Sequence, residues 1–253
     1  ASTVDLSSLS SSSGATNIDG LSDGSYGSGN SNTFLGSNSG ASNASGGDYN
    51  IGLGVYSLNA LTTSDYNIAI GYESMRYGSS GNQYNTAIGY RAMKGPSTNY
   101  TFSSYNVAIG MYSLFDIAGG DYNTGLGSYS LADNTTGVRN TSQGYGSLRE
   151  NTTGGYNTAS GMYSLYNNTT GDYNTAVGHS ALAANTTASF NTGLGYRALS
   201  ANTSGTPNTA VGSESMTDIQ TGVDNVSIGY YSMRVHTTGS RNTVAGSKAM
   251  QDT

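Results

Sequence analysis

The chain has 253 residues, among them 37 Gly and 21 Tyr, with 9% charged residues and neither Cys nor Trp. Without cysteine there is no disulfide framework and no thiolate metal centre, and a formal charge of -6 scattered without blocks argues against a nucleic-acid or anionic-membrane partner. No apolar run approaches the ~20 residues of a bilayer-spanning helix, so no membrane insertion is expected.

Residues 1–30 are rich in Ser and Gly, contain NIDGLSDG from Asn17 to Gly24, and repeat nothing. They read as a linker, an attachment segment or an N-terminal cap. Residues 31–253 read as one repeat domain. YNTASGMYSLYNNTT starts at Tyr156, YNTAVGHSALAANTT at Tyr173 and FNTGLGYRALSANTS at Phe190, a spacing of 17 both times. A fixed period of this size marks a stacked repeat.

The word is anchored on an Asn that occurs thirteen times, at Asn32, Asn50, Asn67, Asn85, Asn106, Asn123, Asn140, Asn157, Asn174, Asn191, Asn208, Asn225 and Asn242. The first steps are 18, 17, 18 and 21, and every later step is 17. Three residues follow the Asn: Thr, Ile or Val, then a small residue, then mostly Ile, Leu or Val. Branched residues alternating with small ones predict a short β-strand. A Gly comes next in every copy, among them Gly89, Gly127, Gly161, Gly178 and Gly195. An obligatory Gly predicts a bend with positive φ, or a backbone approach too close for a Cβ. Ser or Ala and then Leu or Met follow, predicting a second short strand or turn with its large side chain inside. The expected core therefore holds Ile70 and Ile88 from the strands, with Leu131, Leu165, Leu182 and Leu199 from the second element.

Such a unit is too small to bury its own aliphatic residues, so each copy must lie on its neighbours. The predicted fold is an all-β parallel solenoid of about thirteen 17-residue coils. At the ~4.8 Å strand spacing it forms a rod on the order of 60 Å long. Asn85, Asn123, Asn157, Asn174 and Asn191 should form a ladder of side-chain amides. The aromatics just before the Asn, from Tyr49 to Phe190, should form a second ladder. KGPSTNYT, residues 94–101, lengthens one return loop at Gly95 and Pro96.

NTAIG, NTAVG, NIAIG and NVAIG, each followed by SL, AL or SM, resemble the head repeats of YadA-like trimeric autotransporter adhesins. The NTTG-spaced variety of phage and viral fibre proteins is closer still. The likeness spans residues 32–253. It implies a left-handed parallel β-roll with three chains associated around a long axis. The coils here are longer than is usual in adhesin heads, and neither a stalk, an anchor nor a self-cleaving chaperone is legible.

Several positions are candidate sites. Gln143 and Ser160 replace the aliphatic third strand residue in adjacent coils, marking either a hydrated or anion-holding layer that fixes chain register, or a face partly wet there. The sequons at Asn99, Asn134, Asn151, Asn168, Asn185, Asn202 and Asn225 would carry glycans after eukaryotic secretion. His179 and His236 have no partner carboxylate in their own words and read as surface residues. Asp48, Asp65, Asp121 and Asp172 fit turn chemistry better than a calcium ladder. Glu73, Glu150 and Glu214 fall in unrelated coils and form no pair for glycoside hydrolysis. No catalytic residue, metal or cofactor is expected.

The expectation is a non-enzymatic fibre or adhesin module, extracellular or on a cell or virion surface. It would associate with itself as a homotrimer, with a cell-surface glycan or receptor as a further partner met by residues 94–105 and the NTT loops. A filament or sheath subunit stacked end to end is the alternative. Ice binding ranks third: Thr86, Thr124, Thr158 and Thr175 alternate with Ile68 and Val107 and share a face with aliphatic residues, so no flat wet surface is expected.

Overall fold

The computed structural model describes residues 21–22, 32–43, 47–78, 81–97, 104–235 and 238–251. Among them the chain is all-β, with no helix. Strand β1 is Leu21–Ser22 and β2 is Thr33–Leu35; then come β3 Ile51–Leu53, β4 Ile68–Ile70, β5 Thr86–Ile88 and β6 Val107–Ile109. The later strands are β7 Thr124–Leu126, β8 Thr141–Gln143, β9 Thr158–Ser160, β10 Thr175–Val177, β11 Thr192–Leu194, β12 Asn208–Val211, β13 Asn225–Ile228 and β14 Thr243–Ala245. All lie in one sheet, in chain order.

From β2 to β14 every pairing is parallel and joins like positions of successive words, as in Thr158 with Thr175, Ala159 with Ala176 and Ser160 with Val177. The result is the expected parallel solenoid. The edge of β2 away from β3 is covered by β1, which runs antiparallel with Leu21 opposite Leu35. The rest of residues 1–30 falls outside the described residues.

One face of each strand from β2 to β14 points into the coil, and in all but the two end strands, with Phe34 and Val244, it carries the small residue. Ala69, Ala87, Ala108, Ala159, Ala176 and Ala210 are fully buried. Across the interior stand the large side chains of the second element, a turn rather than a strand: Leu131, Leu165, Leu182 and Leu199 are completely enclosed, as expected. Burying each contributes about 1.5–3 kcal/mol.

Ile70 and Ile88 do not join them. Each lies half-buried on the outer face, at the third strand position. Within the stack the inner strand position is narrow, and only the end strands β2 and β14 hold a large residue there, Phe34 and Val244. A Cβ added at Gly125 would already lie 2.6 Å from Ser113 Oγ, and one at Gly52 2.7 Å from Ser39 Oγ.

The Gly ending each strand is required twice over. Gly161 has φ +131°, and a Cβ on it would stand 2.6 Å from the carbonyl carbon of Gly178 in the next coil. Less expected are the ordinary residues held at positive φ at three places per coil, such as Tyr156 at 58°, Tyr163 at 58° and Leu165 at 48°. Such conformations cost on the order of 1 kcal/mol or more each. They aim the peptide groups along the rod. Tyr156 N–H donates to Val138 O at 2.9 Å and Tyr163 N–H to Tyr145 O at 3.0 Å in the coil before, while Leu165 N–H donates to Ala181 O at 3.0 Å in the coil after. Hydrogen bonds to adjacent coils thus continue around the turns, where the strands have ended.

The Asn ladder runs through the whole stack. Asn174 N–H donates to Asn157 Oδ1 at 2.9 Å, Asn157 N–H to Asn140 Oδ1 at 3.0 Å, and Asn191 N–H to Asn174 Oδ1 at 3.0 Å. The same bond links Asn85 to Asn67 at 3.1 Å and Asn123 to Asn106 at 2.8 Å. Most of these amides also tie their own coil shut: Asn123 Nδ2 donates to Gly137 O at 2.8 Å and Asn157 Nδ2 to Gly171 O at 2.8 Å. These Asn side chains are fully buried.

Candidate interaction surfaces

The outer face of the sheet presents the first and third strand residues of every coil. None of these positions from β2 to β14 carries a charge. Leu35, Ile51, Ile109, Val177 and Ile228 on it are 38–50% exposed. At ~4.8 Å per strand and ~3.3 Å per residue the face is roughly 60 Å by 10 Å, on the order of 600 Å². Nine of the thirteen first positions are Thr, so the apolar part is essentially the third-position column, about half of that area and within what monomers leave uncovered.

Gln143 and Ser160 interrupt this face, paired with each other in register between Thr141 and Thr158 on the adjacent column. Gln143 is exposed and Ser160 half-buried, so this part of the face is wet in the single chain. The threonines of the first position also face outward. Six follow one another from β7 to β12, at Thr124, Thr141, Thr158, Thr175, Thr192 and Thr209. They share this face with the aliphatic third position, as expected, and are exposed or half-buried in the single chain.

A second surface is the aromatic column before the Asn. Tyr49, Tyr66, Tyr84, Tyr105 and Tyr122 stack at 4.9, 5.0, 5.0 and 4.9 Å, with interplanar angles of 3–12°. Arg139 takes the next rung, its guanidinium carbon 5.4 Å from the Tyr122 centroid and 5.3 Å from that of Tyr156. Tyr156, Tyr173 and Phe190 continue at 4.8 and 5.1 Å. These eight rings remain 42–60% exposed.

The third surface is a corner where one carboxylate gathers three cations. Glu73 is almost wholly buried; it pairs with Arg76, with Arg91 Nε at 2.7 Å and with Lys94 Nζ at 3.2 Å. The Arg76 guanidinium lies 4.6 Å from the Tyr56 ring centroid, and Lys94 Nζ 5.3 Å from that of Tyr77. Burial acts to raise the Glu73 carboxyl, but the Lys94 hydrogen bond and the charges of Lys94, Arg76 and Arg91 outweigh it and hold it below its ordinary value. A carboxyl lowered on folding adds stability above its unfolded value, ~4.3, and that contribution disappears as pH falls through the lowered one. Thermal melts from about pH 7 to about pH 3 should therefore show Glu73→Gln less stable than the parent at neutral pH, with the gap closing at the acid end. Asp116 and Asp133, in consecutive coils, behave in the opposite way: burial raises both, and for Asp116 the charge of Asp133 adds to the shift.

Asn134, Asn151, Asn168, Asn185 and Asn202 are fully buried. They form a second interior ladder: Asn151 Nδ2 donates to Asn134 Oδ1 at 2.7 Å and to Gly154 O at 2.9 Å, and Asn168 Nδ2 to Asn151 Oδ1 at 2.8 Å. Asn151, Asn168, Asn185 and Asn202 each commit Nδ2 twice inside the coil and Asn134 commits it to Gly137 O at 3.0 Å, so in this fold none of the five presents its amide nitrogen for a glycan. Asn225 is buried likewise, and Asn99 lies outside the described residues. The ladder leaves a trace in the sequence: other coils place Leu61, Ile117 and Ile219 in this column, all fully buried.

Asp65, Asp121 and Asp172 accept backbone N–H groups of the preceding coil, from Asp48 at 2.8 Å, Ser104 at 2.8 Å and Gly155 at 2.7 Å. Among the described residues no three His, Asp or Glu side chains group to hold a metal. His179 is exposed and stacks on Tyr196 at 5.6 Å; His236 lies outside the described residues. Glu214 Oε1 accepts the Tyr231 hydroxyl at 2.9 Å. No helix among the described residues is long and apolar enough to cross a membrane.

No protein-family model, no curated protein and no solved structure matches the chain.

Proposed function

We propose that this chain is a non-enzymatic rod module of a fibre or adhesin, of the kind that YadA-like head repeats build, acting outside a cell or on a virion. It associates with two copies of itself, and its work is rigid reach and attachment to a surface. The observation that carries this reading is the uncharged outer face of the sheet. A face some 60 Å long that carries no charge and presents Leu, Ile or Val, exposed or half-exposed, in most coils favours a partner with the same axial repeat, and a second copy of the chain has that repeat. Gln143 and Ser160 then set the register, because a shift by one coil would bury the Gln amide against aliphatic side chains at about 1–3 kcal/mol per unpaired group.

The end-to-end filament gains less support. A further coil added in parallel at β2 would need the edge that β1 already occupies.

Sedimentation at micromolar concentration tests the proposal. The expected mass is three times the 25.9 kDa of one chain, with solution scattering of an elongated particle. A monomer would overturn the trimer. A monomer that also produced thermal hysteresis would move the function to the threonine column of β7–β12, which is the ice-binding reading.

A further inference from the structure

The stacked tyrosines carry a chemistry that neither the fold nor the rod function requires. Each of the five rings from Tyr49 to Tyr122 has a phenol neighbour about 5 Å away, and so do Tyr156 and Tyr173 with respect to each other. The planes are within 13° of parallel. Because successive coils repeat in register, each ring lies over its neighbour with the two planes nearly parallel. These residues are also between 42% and 53% exposed, within reach of a dissolved oxidant.

We propose that this column is a site of oxidative tyrosine–tyrosine cross-linking, which joins consecutive coils covalently. The co-reactant is a peroxide acting through a one-electron oxidant such as a haem peroxidase. Each of two neighbouring phenols loses one electron and its hydroxyl proton. The two phenoxyl radicals couple through the ring carbons beside their oxygens, forming one carbon–carbon bond. The hydrogens on those carbons then pass to the oxygens and restore both phenols. Two electrons and two protons leave for each bond made, and one peroxide takes them up as two waters. A radical formed in the column has a partner already beside it, so coupling needs no diffusional encounter.

The same geometry says where coupling stops. Arg139 separates Tyr122 from Tyr156, and its guanidinium sits over both rings. Phe190 has no hydroxyl, which ends the second run at Tyr173. On the neighbouring corner, Tyr145 and Tyr163 meet edge to face, at 5.5 Å and 85°, and are not poised to couple. Tyr72 and Tyr90 lie at 5.4 Å and 11° and belong with the stacked class.

The test is limited oxidation of the native full chain with peroxidase and hydrogen peroxide, followed by dityrosine fluorescence and peptide mass mapping. Cross-links are expected between Tyr49, Tyr66, Tyr84, Tyr105 and Tyr122 as neighbours, between Tyr156 and Tyr173, and in the two further stacked pairs, Tyr72 with Tyr90 and Tyr112 with Tyr129 at 5.2 Å and 16°, and not between Tyr122 and Tyr156. Tyr84→Phe keeps the stack but removes one phenol, and should abolish both links at that position while leaving Tyr49–Tyr66 and Tyr105–Tyr122. Arg139→Tyr should merge the two runs, with new links from that position to both neighbours. The cross-linked chain should also resist urea to a higher concentration than the untreated one. Links spread without regard to stacking, links only between chains, or the same pattern from urea-unfolded protein would each overturn the proposal.

Discussion

Gly161→Ala is expected to destabilise the chain by at least about 3 kcal/mol, read as a shift of the urea midpoint at constant slope. Two penalties combine. The backbone at φ +131° is one that a residue with a side chain rarely adopts, and the new Cβ would meet the Gly178 carbonyl, which is itself fixed by the next coil. Relaxing the contact means lifting one coil from another, and that breaks strand pairing on both sides. Gly154→Ala supplies the contrast. Its Cβ would also crowd a carbonyl, at 2.5 Å from Gly171 O, but without the positive φ. Other coils carry Ser64 and Ala188 at that place, each with its carbonyl accepting from the repeat Asn as Gly154 O does. A loss of about 1 kcal/mol is expected there, and equal losses would show that backbone conformation is not what decides.

Asn157→Ala should cost about 3 kcal/mol. The side chain accepts the Asn174 N–H at 2.9 Å and donates to Gly171 O at 2.8 Å and Asn140 Oδ1 at 3.1 Å, all out of water. Its removal strands a buried N–H and a buried carbonyl, each worth about 1–3 kcal/mol when unpaired. Hydrogen exchange should localise the damage, with faster exchange at the Asn174 amide. Asn32 makes equivalent bonds, to the Asn50 N–H at 2.7 Å and Gly47 O at 2.6 Å, in a part-buried setting. Water can replace them, so Asn32→Ala should lose about 1 kcal/mol or less. If both substitutions cost the same, burial is not the source of the effect.

The architecture was legible because the repeat states it thirteen times. A Gly and an Asn kept at one spacing, with Leu or Met at another, leave little besides a stack of coils. What the residues hid was the inner face of the strand. Large aliphatics such as Ile70 and Ile88 belong inside by ordinary preference, yet two walls this close admit only Ala, Gly or Ser along most of the stack, and the aliphatics turn outward. Left-handed conformations at Tyr156, Tyr163 and Leu165 escaped notice because sequence cues assign positive φ to Gly, Asn and Asp. Only coil-to-coil hydrogen bonding, a long-range effect, holds other residues there. NTTG looked like an exposed loop for a related reason, since a polar word gives no sign that its Asn is paired inside. Of the surfaces, the aromatic column was readable from spacing, and so was part of the Glu73 cluster: Glu73 and Arg91 both stand six residues after their Asn, and Arg76 and Lys94 both nine after. What the words did not give is that these two positions meet at one corner.

The uneven early steps of the repeat have a mechanical consequence. Asn85 joins Asn67 at 3.1 Å and Asn106 joins Asn85 at 3.0 Å, although 18 and 21 residues separate them. The extra residues add contour but no height. The molecule therefore works as a graduated ruler: its reach is counted in whole rungs of ~4.8 Å, and duplicating or deleting a unit moves the tip by one graduation. Decoration of the return loops changes what the ruler displays along its flank and leaves its length alone.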